Sequence, residues 1–360
     1  MNYNCNQTSL KMQFHNILNE WYLINKRELP WRQTRDPFKI WLSEIILQQT
    51  RVAQGLPYYL KFLKEFPNVF ELANAPQQKV LKLWQGLGYY SRARNLHTTA
   101  QHVAYNLNGN FPGNYKELLK LKGIGDYTAS AIASTCYKEA VPVIDGNVYR
   151  VLARYFGIFT PINSTSGIKD FKELAIKLLD RERPEVYNQA VMEMGATQCK
   201  PQNPVCEICP LSGGCFAYKE GEISNLPVKL KKLKVKKRFF NYLVLLSEEN
   251  KILVEQRKGK GIWEGLYEFP LIESDASLGE GELREQELFN HLCGEASEKV
   301  SLFNESPVVH KLTHQHIYTN FWVIEKKELP ETAVSIEQLL EYPVPVLIAN
   351  FINEIKLVEY

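Results

Sequence analysis

The sequence predicts a multidomain chain, with an all-α N-terminal region followed by an α/β module. Three observations carry this. The 360 residues suit two domains at about 150 residues each. From Lys11 to about Tyr218, apolar residues recur at spacings of three and four, with no strand alternation. After Arg238 the texture changes to short runs rich in β-branched and aromatic residues, separated by turn signals. Hydrophobic residues make up 45% and charged residues 23% of the chain, which sets aside disorder, collagen-like repeats and coiled coil as the main architecture. No apolar run approaches the ~20 residues needed to span a bilayer. The opening MNYNCNQTSLKMQ lacks the apolar stretch of a secretory signal, so no membrane association and a cytoplasmic location are expected.

In chain order, Phe14, Ile17, Leu18 and Trp21 form the first helical face. Asp36 followed by Pro37 reads as an N-cap with proline at the first helical position, and Phe38, Trp41, Leu42 and Ile45 then share one side. Further helices are expected over Pro76–Trp84, Ser91–Leu107, Tyr115–Leu121, Tyr127–Tyr137, Asn147–Phe156, Ile168–Leu179 and Glu185–Met194. The segment Leu226–Arg238, LPVKLKKLKVKKR, holds seven basic residues and no acidic one; without it the net +3 of the chain becomes −4. This segment reads as a solvated linker, placing a helical region at 1–223, a Lys-rich linker at 224–238 and the α/β module at 239–360. In the module, FFNYLVLLSEENKILVEQR predicts two strands about a Glu-Glu-Asn-Lys turn, Val308–Leu312 and Ile317–Val323 another pair, and Ser335–Tyr342 and Val344–Lys356 two helices.

Four candidate sites emerge. Four of the seven cysteines crowd into 17 residues as Cys199-x6-Cys206-x2-Cys209-x5-Cys215. The odd total and the clustering disfavour a disulfide framework. One CxxC with unequal flanks favours an iron–sulfur cluster over zinc, and both stay open on spacing alone. Leu121-Lys-Gly-Ile-Gly-Asp places Gly123 and Gly125 in a tight turn before a helix, a backbone nest suited to a DNA phosphate or simply a helix–helix turn. Asp145 and Asn147 begin the next helix, as caps or as groups facing a substrate. Glu44 sits among Ile40, Trp41, Leu47 and Gln48; desolvation there would raise its pKa toward that of a general acid, unless it reaches water at the rim.

Taken together, RELPWR at 27–32, WLSEIILQQT at 41–50, GLGYYSRARNLH at 86–97, LKGIGDYTASAI at 121–132, VIDGNVYRVLAR at 143–154 and the four-cysteine loop occur in this order. The combination closely resembles the adenine DNA glycosylases of the MutY family, within the helix-hairpin-helix glycosylases, over residues of roughly 20–220. It continues more weakly into a C-terminal Nudix-like domain. The resemblance implies base excision repair of double-stranded DNA containing A:8-oxoguanine or A:G mispairs: a monomeric, essentially monofunctional enzyme flips adenine out and hydrolyses its N-glycosidic bond. It implies a 4Fe-4S cluster on Cys199, Cys206, Cys209 and Cys215. It implies Glu44 as the acid that protonates adenine and activates water, Asp145 as the stabiliser of the oxocarbenium-like sugar, and Asn147 as a polar partner in the pocket. Tyr127 stands where bifunctional relatives carry a Schiff-base lysine. Gln48 and Tyr89 match residues wedged beside the oxidised guanine, and Thr50 and Leu87 match residues touching it. Trp31, Arg32 and Glu193 match residues around the flipped adenine, and Gly123 and Gly125 match the hairpin on DNA.

The Nudix box G-x5-E-x7-R-E-U-x-E-E-x-G, whose glutamates hold magnesium, is not present. Anchored on Arg284-Glu285, its first glycine falls on Pro270, its first glutamate on Ala276, the paired glutamates on Leu288 and Phe289 and the last glycine on His291. Nucleotide hydrolysis is therefore not expected. The resemblance instead implies lesion reading by Thr313 and His314, where Leu312 replaces the usual aromatic. The rival readings are a pyrimidine-lesion glycosylase with lyase activity, disfavoured by Tyr127, and a non-enzymatic DNA-binding or redox-sensing protein, disfavoured by Glu44 together with Asp145.

Overall fold

The computed structural model describes residues 7–230, 235–294 and 299–358. Residues 231–234 of the Lys-rich linker lie outside the described residues. The chain divides into two compact units, one of residues 1–74 and 98–231, the other of 75–97 and 232–360.

No strand occurs in the described part of the first unit. Asp36 caps the helix Pro37–Leu47 by accepting from the Phe38 amide at 2.9 Å, with Pro37 at the first position. Ile40 through Ile46 of this helix are all buried. A helix enclosed on every side keeps Glu44 from water, at 7% exposure, so the rim position does not apply. Helix Asp126–Tyr137 packs on it, and its small Ala129, Ser130, Ala131 and Ala133 are buried. The expected helix over Tyr115–Leu121 stops at Leu118. Its continuation tightens into three-residue turns (Lys120 N to Glu117 O, Leu121 N to Leu118 O, Ile124 N to Leu121 O). Gly123 then reverses the chain at φ +79°. Helices Gly146–Phe156 and Pro184–Glu193 pack with Gln7–Asn25 on a second core containing Phe14, Leu18, Val151, Leu152, Phe171, Ala190 and Met194. That core also touches Cys199, Cys209 and Cys215, so the cysteine loop is seated on it.

In the second unit the strands are β1 (Lys236–Ser247), β2 (Lys251–Ile252), β3 (Glu255–Gln256), β4 (Tyr267–Glu268), β5 (Leu271–Ser274), β6 (Val300–Leu302), β7 (Val308–Lys311), β8 (Gln315–Lys326) and β9 (Val334–Ser335). Both expected hairpins are present, β1–β2 about Leu246↔Ile252 and β7–β8 about Lys311↔His316. The long β1 and β8 run parallel at the sheet centre, with β5 antiparallel to β1. Leu243, Leu245, Trp322 and Ile324 share one face and are covered by Leu283 and Phe289 from helices Glu280–Arg284 and Glu287–Cys293. Segment 75–97 holds helix Gln77–Trp84 and a loop with positive φ at Gly86, Gly88 and Tyr89. Trp84 Nε1 donates to Gly88 O at 3.0 Å. Arg92 donates to Leu87 O and Gly88 O at 3.2 and 3.1 Å, fixing the loop. No helix among the described residues is long and apolar enough to cross a membrane.

Candidate active site and iron–sulfur loop

A cavity of about 790 Å³ in the first unit brings together Trp31, Arg32, Glu44, Thr50, Tyr127, Asp145, Asn147 and Glu193. A second, of about 460 Å³, is lined by Gln48, Gly125 and Asp126 together with Glu44, Leu47, Tyr127 and Asp145. The last four side chains thus line both cavities.

Each polar group has its own electrostatic setting. Burial pushes the Glu44 carboxyl from 4.5 to about 7; the nearby Asp145 adds to this, while a hydrogen bond with Tyr127 and the charge of Arg32 oppose it. Tyr127 is raised well above 10, first by burial and then by the Glu44 and Asp145 carboxylates, so its hydroxyl keeps its proton. That hydroxyl also lies 3.6 Å from Met192 Sδ. Asp145 is the N-cap of Gly146–Phe156. Its Oδ1 accepts from the amides of Asn147 and Val148 at 2.8 Å each, and its Oδ2 from Asn147 Nδ2 at 2.7 Å. Burial raises its pKa against these bonds. Three donors and no acceptor are the surroundings of an ionised carboxylate. Asp145 thus both caps its helix and lines the two cavities.

Asn147 is itself held. Its Oδ1 accepts from Arg150 at 2.7 Å, and Arg150 reaches Gly195 O and Cys199 O, also at 2.7 Å each. Gly195 lies in a wide turn, Met194–Gln198, of the kind found at functional sites. A β-carbon on Gly195 would stand 2.6 Å from Asn147 Cβ. Opposite, Glu193 accepts from Arg27 N, Nε and one terminal nitrogen at 2.9, 2.7 and 2.6 Å, and from Arg32 at 2.7 Å. Burial works against its charge, but the two guanidiniums hold it down at about 2. Buried Arg32 Nε has no partner among the described residues.

At the hairpin, helix Asp126–Tyr137 starts from Gly125 with no side-chain cap, leaving its first amides available to an anion. Asp126 in that first turn is paired with Lys172 at 2.6 Å and bonded by Tyr115. Gln48 donates to Thr128 Oγ1 at 3.2 Å, whereas its neighbour Gln49 is exposed with φ +57°. Leu87, Tyr89, Thr313 and His314 belong to the second unit. Leu87 is buried; Tyr89, Thr313 and His314 are exposed. The Tyr89 hydroxyl lies 2.7 Å from Thr313 Oγ1, and the turn bearing Thr313 and His314 is closed by Leu312 N to Gln315 O at 2.8 Å. The roles of Arg27, Met192, Gln49, Arg150 and Gly195 escaped the sequence reading. Only RELPWR and the doubled glutamine in LQQT signalled two of them.

The four cysteines line one small, almost wholly apolar cavity with Arg154, Val205 and Ile223. Among the described residues no three His, Cys, Asp or Glu side chains gather closely enough to hold a single metal ion. Burial and the neighbouring thiols push up Cys206, Cys209 (to about 11) and Cys215. Four soft ligands around one dry space suit an iron–sulfur cluster, which would supply cross-linking of the loop and, in principle, electron transfer.

The profile of the HhH-GPD superfamily base excision DNA repair proteins matches residues 42–173, the iron–sulfur binding domain of endonuclease III matches 199–215, and the NUDIX domain matches 241–354. An adenine DNA glycosylase of Buchnera aphidicola subsp. Baizongia pistaciae is 36% identical over 87% of this chain and 86% of its own length. One from Homo sapiens is 41% identical over 59% of this chain and 41% of its own length. A thermostable thymine-DNA glycosylase structure superposes with TM-score 0.56 at 28% identity, covering 60% of this chain and all of the other. An endonuclease III–DNA complex, at 22% identity and TM-score 0.51 over 59% of this chain and 97% of its own, shares the fold. The chain belongs to the adenine DNA glycosylases, 4Fe-4S enzymes of base excision repair that cleave N-glycosyl bonds in DNA.

Proposed function

We propose that this glycosylase acts as a monomer and removes adenine mispaired with 8-oxoguanine or guanine, hydrolysing the base–sugar bond without cutting the strand. The supporting observation is one wall shared by two cavities, which carries a carboxyl with a pKa of about 7 (Glu44), hydrogen-bonded to a protonated Tyr127, and a carboxylate held by three donors (Asp145). The larger cavity receives the flipped adenine, with Trp31 as a wall and Arg32 and Glu193 as polar partners. The smaller cavity takes the sugar and its phosphates, the latter at the uncapped amides after Gly125.

In this reading Glu44 gives its proton to adenine, turning a poor leaving group into a neutral one. The charge developing on the sugar meets the Asp145 carboxylate, fixed in place by its own helix and by Asn147. Glu44, now ionised, takes a proton from the attacking water. Tyr127 cannot form an imine, so strand cleavage does not follow. Gln49, exposed in a left-handed conformation, is a better candidate than Gln48 to enter the base stack. Thr313 and His314 read the opposite guanine, with Leu87 against it.

The test is excision from duplexes carrying A opposite 8-oxoguanine or guanine, with and without alkali. Strand breaks only after alkali are expected. Breaks without alkali would favour the lyase reading, and an intact strand would favour a binding protein.

A further inference from the structure

Arg154, in the last turn of helix Gly146–Phe156, is 3% exposed. Its Nε donates to Leu226 O at 3.0 Å. One terminal nitrogen donates to Lys200 O at 2.7 Å and to Cys199 Sγ at 3.4 Å, and the other to Pro201 O at 3.0 Å. Its own carbonyl lies 3.5 Å from Cys215 Sγ. It is the one basic side chain lining the four-cysteine cavity, and no acidic side chain lines that cavity among the described residues. Arg150 reaches Cys199 as well, but at the carbonyl rather than the sulfur.

We propose that Arg154 is a positioning residue for the iron–sulfur cluster, whose guanidinium sets the cluster's reduction potential through the Cys199 sulfur while its other donors lock the cysteine loop to the chain at Leu226. A cluster on four thiolates carries net negative charge, and reduction adds to it. A buried cation donating to one ligand sulfur stabilises the reduced form more than the oxidised one, in surroundings that screen little. Removing the cation must therefore move the potential to more negative values. The three carbonyl bonds are a separate contribution, to the stability of the loop, and need the fork of a guanidinium rather than its charge. This inference rests on the cluster and not on the choice of mispair, so its failure would leave the adenine reading untouched.

The two contributions separate in Arg154→Met and Arg154→Lys, each made in the full chain with its cluster loaded. Iron and sulfide per chain, thermal unfolding and the midpoint potential from a spectroelectrochemical titration are the readouts. Both variants are expected to unfold at lower temperature. The Met variant should titrate at a more negative potential than the parent, and the Lys variant close to it. A Met variant with the parent's potential would overturn the proposal and reduce Arg154 to a clamp. If the Met variant takes up no cluster, reconstitution decides: loading of the Lys variant alone supports the role of charge, and equal failure of both overturns it.

Discussion

Replacing Glu44 by Gln should make the protein more stable while abolishing its chemistry. Glu44 has an ordinary pKa of 4.5 and about 7 in the fold. A carboxyl raised on folding contributes full stability below its unfolded value, and that stability drains away as pH rises through the folded one. Ionising Glu44 in its buried helix therefore costs ~3 kcal/mol at pH 8, and under ~1 kcal/mol at pH 5. Glutamine has nearly the same shape, can keep a hydrogen bond to the Tyr127 hydroxyl and never ionises. Urea unfolding followed by tryptophan fluorescence, at several pH values between 5 and 8.5, should show the variant gaining on the parent as pH rises, toward that ~3 kcal/mol. Binding to A:8-oxoguanine duplex should persist while excision is lost. A variant no more stable than the parent at pH 8, or a gain of equal size at pH 5 and pH 8, would refute the claim that Glu44 is held in a desolvated, proton-retaining site. Such stored cost is common where activity requires a group out of its preferred state.

Other outcomes follow from neighbouring contacts. Tyr89→Phe and Thr313→Ala should each erode the preference for 8-oxoguanine over guanine by less than tenfold. Because their hydroxyls lie 2.7 Å apart, the double variant should lose less than the sum of the two, and full additivity in single-turnover rates would remove the contact from the specificity device. Gly195→Ala would press a methyl on Asn147 and should lower the excision rate at least tenfold with little change in duplex affinity; an unaltered rate would free Asn147 of any role in holding Asp145. Arg27→Met removes one of the two guanidiniums on Glu193, leaving Arg32 and the backbone amide of residue 27, and should cost ~1–2 kcal/mol at pH 7. Glu193 is held at about 2, so its contribution is full above about pH 4.5 and is lost as pH falls from there through about 2; the cost should shrink in unfolding experiments at pH 3.

Much of this was legible in the sequence because it is local. The Asp36-Pro37 start, the helical periodicity before Tyr218 and the two hairpins are set by neighbours within a few residues, and the structure forms them. The parallel pairing of β1 with β8 joins segments some eighty residues apart, and no local pattern encodes such a register. The grouping of 75–97 with the C-terminal unit has the same origin. In the site, Glu44 and Asp145 could be picked out because each stands in an unusual local setting. The Arg27–Glu193 pair could not, since its members are 166 residues apart. Gln48 and Gln49 look alike in sequence, and only the backbone, which turns Gln49 outward at φ +57°, tells them apart. The Leu312-Thr313-His314 segment is visible in sequence, but that Thr313 meets Tyr89 is visible only in the fold.

The sharpest test of proton delivery by Glu44 is the pH dependence of single-turnover adenine release from an A:8-oxoguanine duplex at saturating enzyme. The rate should fall as pH rises through about 7, and Glu44→Gln should release no adenine at any pH. A rate level up to pH 9, or release by the variant at the parent's rate, would contradict the assignment.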